Sequence, residues 1–133
     1  PLTLFTEKRS AFTGFPSPSD DYLDISIDLN KELICHPAST FFLRVSGDSM
    51  NSNGIYNGDL LIVDRGVDPR PGQIVVAIID GAFTLKRFTF QNGSPYLKTD
   101  NSDHSAINLL LYGDIQIWGV AVHSIHPLSS VLP

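Results

Sequence analysis

The sequence predicts a mainly β domain. Three observations carry that reading. Short runs of β-branched and aromatic residues recur along the chain. Turn residues separate them, with Asp80-Gly81 and Asn92-Gly93 in the form that tight hairpins need. No long segment of helical periodicity lies between the runs, so short, turn-separated strands must pack as a barrel or sandwich of sheets.

Residues 1–20, PLTLFTEKRSAFTGFPSPSD, contain three prolines, one glycine and several small polar residues. Each proline in Phe15-Pro16-Ser17-Pro18 pushes its predecessor out of helical backbone, so this stretch reads as an extended arm. An edge strand packed on the domain is the alternative. From residue 21 to 133 the pattern is that of a folded unit. Residues 28–34 suit a short helix, with Asp28 as N-cap, Leu29 and Leu33 on one face, and Pro37 as the stop. Strands are expected over 40–45, 59–64, 73–79, 82–88 and 95–98, and a last one over 115–125 with Gly119 inside it. No repeat period is evident.

A chain of 133 residues, 42% hydrophobic and 17% charged, is one ordinary domain. A domain of this size buries roughly 65–70% of the surface its unfolded form exposes, enough to fold without disulfides or a structural metal. Its net charge of −5 argues against a whole-surface basic field for nonspecific nucleic-acid binding. One cysteine, Cys35, allows neither an internal disulfide framework nor a CxxC zinc site. No apolar run reaches the roughly 18 residues of a membrane span, and the N-terminal stretch lacks a secretory apolar core. The expectation is a cytoplasmic protein with no membrane partner, no metal and no cofactor.

Chemistry concentrates at Ser46-Gly47-Asp48-Ser49-Met50, which follows a strand and precedes a loop rich in Asn, Ser and Gly. A serine just past a glycine turn can project its hydroxyl, and the backbone N–H groups of that turn can face a developing oxyanion. Ser, Gly and Asp are also ordinary turn residues, and composition alone favours a plain turn. A serine nucleophile needs a base. The four histidines, His36, His104, His123 and His126, fall in no triad setting and read as surface or partly packed side chains. His123 and His126 are three apart, which in a strand points them to opposite faces rather than at one metal. Lysine is the other candidate base, and it acts only when neutral, which requires burial or a cationic neighbour. Lys86 lies on the return strand of the hairpin, on one face with Ala82, Thr84 and Phe88, while Phe83 and Leu85 take the other. Periodicity leaves open whether that face is covered or solvated.

Several segments together carry a resemblance. The stretches 14–18, 46–50, 58–64, 80–86 and 118–123, in that order and spacing, resemble the LexA-like family of self-cleaving serine peptidases, within it the UmuD-like branch, over residues 14–126. The resemblance implies a LexA-like peptidase domain of packed, strongly curved antiparallel sheets with an extended N-terminal arm. It implies Ser49 as nucleophile, Lys86 as general base, and the backbone N–H groups of Asp48 and Ser49 as oxyanion donors. The scissile bond it implies is Thr13–Gly14. Slow self-cleavage of the arm is expected to be stimulated by a RecA filament on single-stranded DNA. The processed homodimer would then serve a UmuC-like Y-family polymerase subunit in error-prone translesion synthesis during the SOS response. Thr13 departs from the Cys or Ala that many relatives carry before the scissile glycine. A non-catalytic interaction subunit, with the dyad inherited but idle, is the second reading. A signal-peptidase-like protease is disfavoured because the sequence has no membrane anchor. A LexA-type repressor fragment is disfavoured because it has no helix-turn-helix, so direct sequence-specific DNA binding is not expected.

Overall fold

The computed structural model describes residues 26–99 and 106–129, so the arm over residues 1–20 and His104 lie outside the described residues. Among the described residues, those from Leu33 onward form one compact unit. Its seven strands are β1 (Thr40–Arg44), β2 (Leu60–Asp64), β3 (Ile74–Ile79), β4 (Ala82–Gln91), β5 (Ser94–Lys98), β6 (Ile107–Asn108) and β7 (Gln116–Ile125). They form a single sheet in the order β1-β2-β7-β3-β4-β5-β6, and every pairing is antiparallel. The mainly β expectation therefore holds. Ahead of this unit's strands lies helix α1 (Leu29–Leu33), as expected. Its first turn is capped by the Asp28 carboxylate, which accepts from the Asn30 N–H at 3.0 Å.

Local chemistry accounts for the hairpins. Asp80 and Gly81 have φ of 53° and 78°, and Asn92 and Gly93 have 54° and 81°. Both pairs hold two successive left-handed residues, the geometry whose twist matches the flanking strands. The first joins β3 to β4 in the register Ile79↔Ala82, and the second joins β4 to β5 in the register Gln91↔Ser94. Strand β4 runs to Gln91, three residues past its expected end, because Thr89, Phe90 and Gln91 still have partners on β5. The two-residue β6 has no strand signature of its own and pairs at the sheet edge with Tyr96 and Leu97.

Most of the buried apolar residues fall into two clusters. Val45, Met50, Ile55, Leu61, Val63 and Val76 form one. Val75, Ala77, Phe88, Leu97 and Val120 form the other. The neighbours Val75 and Val76 go to different clusters, as the pleat requires. With residues packed on both faces, β2 reads as a continuous apolar run and not as an alternation: Leu61, Ile62 and Val63 are all buried.

Strand β7 is irregular on both sides. Between Ile62↔His123 and Val63↔Ala121 it carries one unmatched residue, Val122, against β2. Between Val76↔Gly119 and Ala77↔Ile117 it carries another, Trp118, against β3. Each bulge increases local twist and re-aims a side chain. Trp118 turns toward Phe41 and Phe83, with ring centroids 5.5 and 4.8 Å away, and the Arg65 guanidinium lies 4.5 Å over its ring. Gly119 makes this possible. A Cβ there would stand 2.6 Å from Val63 Cγ1 and 3.3 Å from the Asp64 carbonyl oxygen. Gly119→Ala should therefore destabilise the domain by about 1–3 kcal/mol through overpacking, seen as a lowered midpoint in thermal unfolding followed by circular dichroism.

Candidate active site

Residues 45–59 form a loop between β1 and β2 that closes on itself at its root. Val45 N–H donates to the Asp59 carbonyl at 2.9 Å, and Gly58 N–H donates to the Val45 carbonyl at 2.8 Å. Gly47 takes φ of 98°, a left-handed conformation that turns the chain toward Asp48 and Ser49. Its N–H donates to Asn57 Oδ1 at 2.9 Å, tying the two arms of the loop together. Met50 and Ile55 anchor the loop in the first apolar cluster, at 2% and 6% exposure. The Met50 carbonyl accepts from Asn53 and Ile55 N–H, and the Asp48 carbonyl from Asn51 N–H. With Met50 held inward, its neighbour Ser49 lies at a cleft.

That cleft has a volume of about 250 Å³. Ser46, Gly47, Ser49 and Met50 line one side, and Phe83, Thr84 and Leu85 of β4 line another. Leu61 and Val76 contribute from the central strands. Thus parts of the two segments singled out in the sequence, 46–50 and 80–86, line one cavity, while Lys86 itself is not among the lining residues. Among the described residues, neither the Asp48 nor the Ser49 backbone N–H donates to a partner in the chain.

Lys86 follows directly on the cleft-lining residues of β4. Its register partner is Val75, and its side chain belongs to the face of Phe88 and Leu97, both buried. That face is covered, and Lys86 is only partly exposed. Its Nζ donates to Thr99 Oγ1 at 2.7 Å. Among the described residues no hydrogen bond joins it to the Ser49 hydroxyl. Thr99 was not legible as a partner, because it is 13 residues away and comes alongside only through the β4–β5 register. Thr13 and Gly14 lie outside the described residues.

Two histidines have roles that the sequence did not signal. Asp59 and Asp64, immediately before and at the end of β2, are 0% and 4% exposed. Asp59 accepts from Tyr56 N–H at 2.8 Å and Ser124 Oγ at 3.1 Å, and His126 Nδ1 lies 2.5 Å from its other oxygen. Asp64 accepts from Ser39 Oγ at 2.7 Å and Gly66 N–H at 2.8 Å, with His36 Nδ1 at 2.6 Å. Burial raises the Asp59 carboxyl, but the Tyr56 N–H, His126 and Ser124 together outweigh it and hold it below the ordinary carboxylate range. For Asp64 the His36 hydrogen bond dominates; burial opposes it, and Gly66 and Ser39 add to the lowering. A second cleft, of about 680 Å³, is lined by His36, Asp64, Arg70 and His123 among others, and holds none of the residues expected at a catalytic centre.

Residues 7–122 match the family model described as Peptidase S24-like. The chain belongs to that family. Among S24-like relatives, Protein ImpA of Salmonella typhimurium is 48% identical over 123 residues, which is 92% of this chain and 82% of ImpA. Protein MucA of Escherichia coli is 40% identical over 130 residues, 96% of this chain and 87% of MucA. The LexA repressor of Shewanella baltica is 47% identical over 88 residues, 65% of this chain and 43% of the repressor. The likeness to UmuD- and LexA-type peptidases read from the sequence is thereby borne out. Among the described residues no helix is long and apolar enough to cross a membrane.

Both buried carboxyls titrate below their unfolded values, near 4. The stability they contribute is therefore complete above that range and is lost as pH falls through the lowered values. The midpoint of thermal unfolding should drop on acidification from about pH 5 to pH 3. Asp64→Asn should be less stable than the parent at pH 7 and should lose part of that pH dependence.

Proposed function

We propose that this S24-like chain cleaves its own N-terminal arm at Thr13–Gly14, with Ser49 as nucleophile and Lys86 as general base. What supports the reading is that the loop carrying Ser49 and the strand segment leading into Lys86 border one cleft. The neutral Lys86 amine takes the Ser49 proton while Oγ attacks the Thr13 carbonyl carbon. Negative charge then develops on the carbonyl oxygen, and the backbone N–H groups of Asp48 and Ser49 stabilise it. The lysine returns the proton to the Gly14 nitrogen as the C–N bond breaks, leaving an ester between Thr13 and Ser49 that water hydrolyses. A neutral amine has two hydrogens and a lone pair, so Lys86 can donate to Thr99 and still accept from Ser49. Tethering supplies the effective concentration for an attack on the chain's own bond, and Gly14 lets the backbone approach closely.

The wider role proposed here is supported by the likeness to ImpA and MucA. A RecA filament on single-stranded DNA stimulates the cut, and the shortened homodimer joins a UmuC-like Y-family polymerase subunit in translesion synthesis during the SOS response. The acidic net charge of −5 suits protein partners and not a direct grip on DNA. One observation favours the second reading, a polymerase subunit with an idle dyad: Lys86 is not among the residues that line the cleft at Ser49, and its amine is directed to Thr99.

One time course separates the two. The purified chain, incubated with and without RecA filaments and followed by mass spectrometry, should release a product beginning at Gly14. The rate should climb with alkaline pH, since the base acts only when uncharged. Ser49→Ala and Lys86→Ala should each slow release by on the order of a thousandfold or more. Cleavage surviving in either variant removes that residue from the dyad, and a parent chain that stays whole under all conditions favours the idle subunit.

A further inference from the structure

The proposed dyad makes no use of Asp59, yet that carboxylate gathers three donors from two distant parts of the chain. Tyr56 N–H comes from the end of the loop that carries Ser49. Ser124 Oγ comes from the end of strand β7, and His126 lies just beyond it. The same residue's backbone carbonyl accepts from Val45 N–H at the loop's root. Only residues 46–48 separate that root from Ser49. The Tyr56 ring also packs against the His126 ring, with centroids 5.1 Å apart. Asp59 is wholly buried, while the His126 side chain is 47% exposed. An ionised carboxylate only accepts hydrogen bonds, so the His126 ring presents its Nδ1–H to Asp59.

We propose that the Asp59–His126 bridge is a positioning device for Ser49: it fastens the root of the nucleophile loop to the C-terminal end of the sheet. Neither residue touches the reacting atoms. The bridge acts through the loop, holding its two arms at the spacing that sets Ser49 at the cleft. With the ring gone, water enters where the half-exposed imidazole stood and meets the carboxylate, but it no longer ties the loop's end to the segment after β7, and the loop is freer to open. Because an error of about 1 Å in a nucleophile's placement can cost on the order of a hundredfold in rate, a small opening is enough to be felt. This inference rests on the peptidase reading above.

The test compares the full chain with His126→Ala, His126→Asn and, as the blank, Ser49→Ala. An asparagine amide can place an N–H close to where the imidazole Nδ1–H stood. We expect His126→Ala to slow self-cleavage about tenfold or more and His126→Asn to recover to within about threefold of the parent. Amide hydrogen exchange should quicken in residues 46–58 of His126→Ala, with the strands β3 and β4 unchanged, and should return toward the parent in His126→Asn. Parental cleavage in His126→Ala, or exchange that quickens uniformly across the sheet, overturns the proposal while leaving the peptidase reading intact. If the parent itself never cuts, the peptidase reading falls. Exchange over 46–58 then still decides whether the bridge holds the loop, with unchanged protection in His126→Ala counting against it.

Discussion

Two carboxylates bracketing one buried strand govern much of this molecule. Asp59 and Asp64 bracket the buried run of β2 and are almost sealed from water. A buried carboxylate is tolerated only when its lone pairs are met, and each unmet group costs about 1–3 kcal/mol or more. The donors that meet them come from far along the chain: His36 and Ser39 for Asp64, and Ser124 and His126 for Asp59. Satisfying these two groups therefore fastens the segment before β1 and the end of β7 with the residue just beyond it to the two ends of β2. The loop that carries Ser49 ends at Asp59, which meets its first residue, Val45, through the backbone and Tyr56 through the carboxylate.

The cleft is shaped by a second constraint, the irregular course of β7. A regular strand there would keep strict alternation against β2 and β3. The unmatched residues Val122 and Trp118 break it on either side, and Gly119 lets the strand approach Val63 where no side chain fits. Trp118 then joins Phe41 and Phe83 from β1 and β4, strands not paired with each other in the sheet. Phe83 in turn forms part of the wall facing Ser49. A backbone irregularity on one strand thus reaches the cleft through ring contacts, while Met50 and Ile55 hold the opposite wall through burial.

Lys86 illustrates how the pleat allots chemistry. Its neighbour Leu85 packs with the first apolar cluster and lines the cleft, whereas Lys86 belongs with the face of Val75, Phe88 and Leu97. Lys86 shares a face with the buried Phe88 and Leu97 and is itself only partly exposed, and Thr99 supplies a polar partner for its amine.

Read alone, the sequence determined what depends on neighbours along the chain. The β-branched runs, the Asp80-Gly81 and Asn92-Gly93 turns, the Asp28 cap and the linked order of the serine and lysine segments are all local or linear signals, and each has its counterpart in the strands, turns and cleft. Tertiary structure alone decided the rest. His36 and His126 read as surface or partly packed side chains, and nothing pointed to their acids, which lie 28 and 67 residues away. Thr99, the β7 bulges and the short β6 were hidden for the same reason. A hydrogen bond or bulge between strands is fixed by register, and register is set by which faces the whole sheet buries, a property that no window of sequence contains.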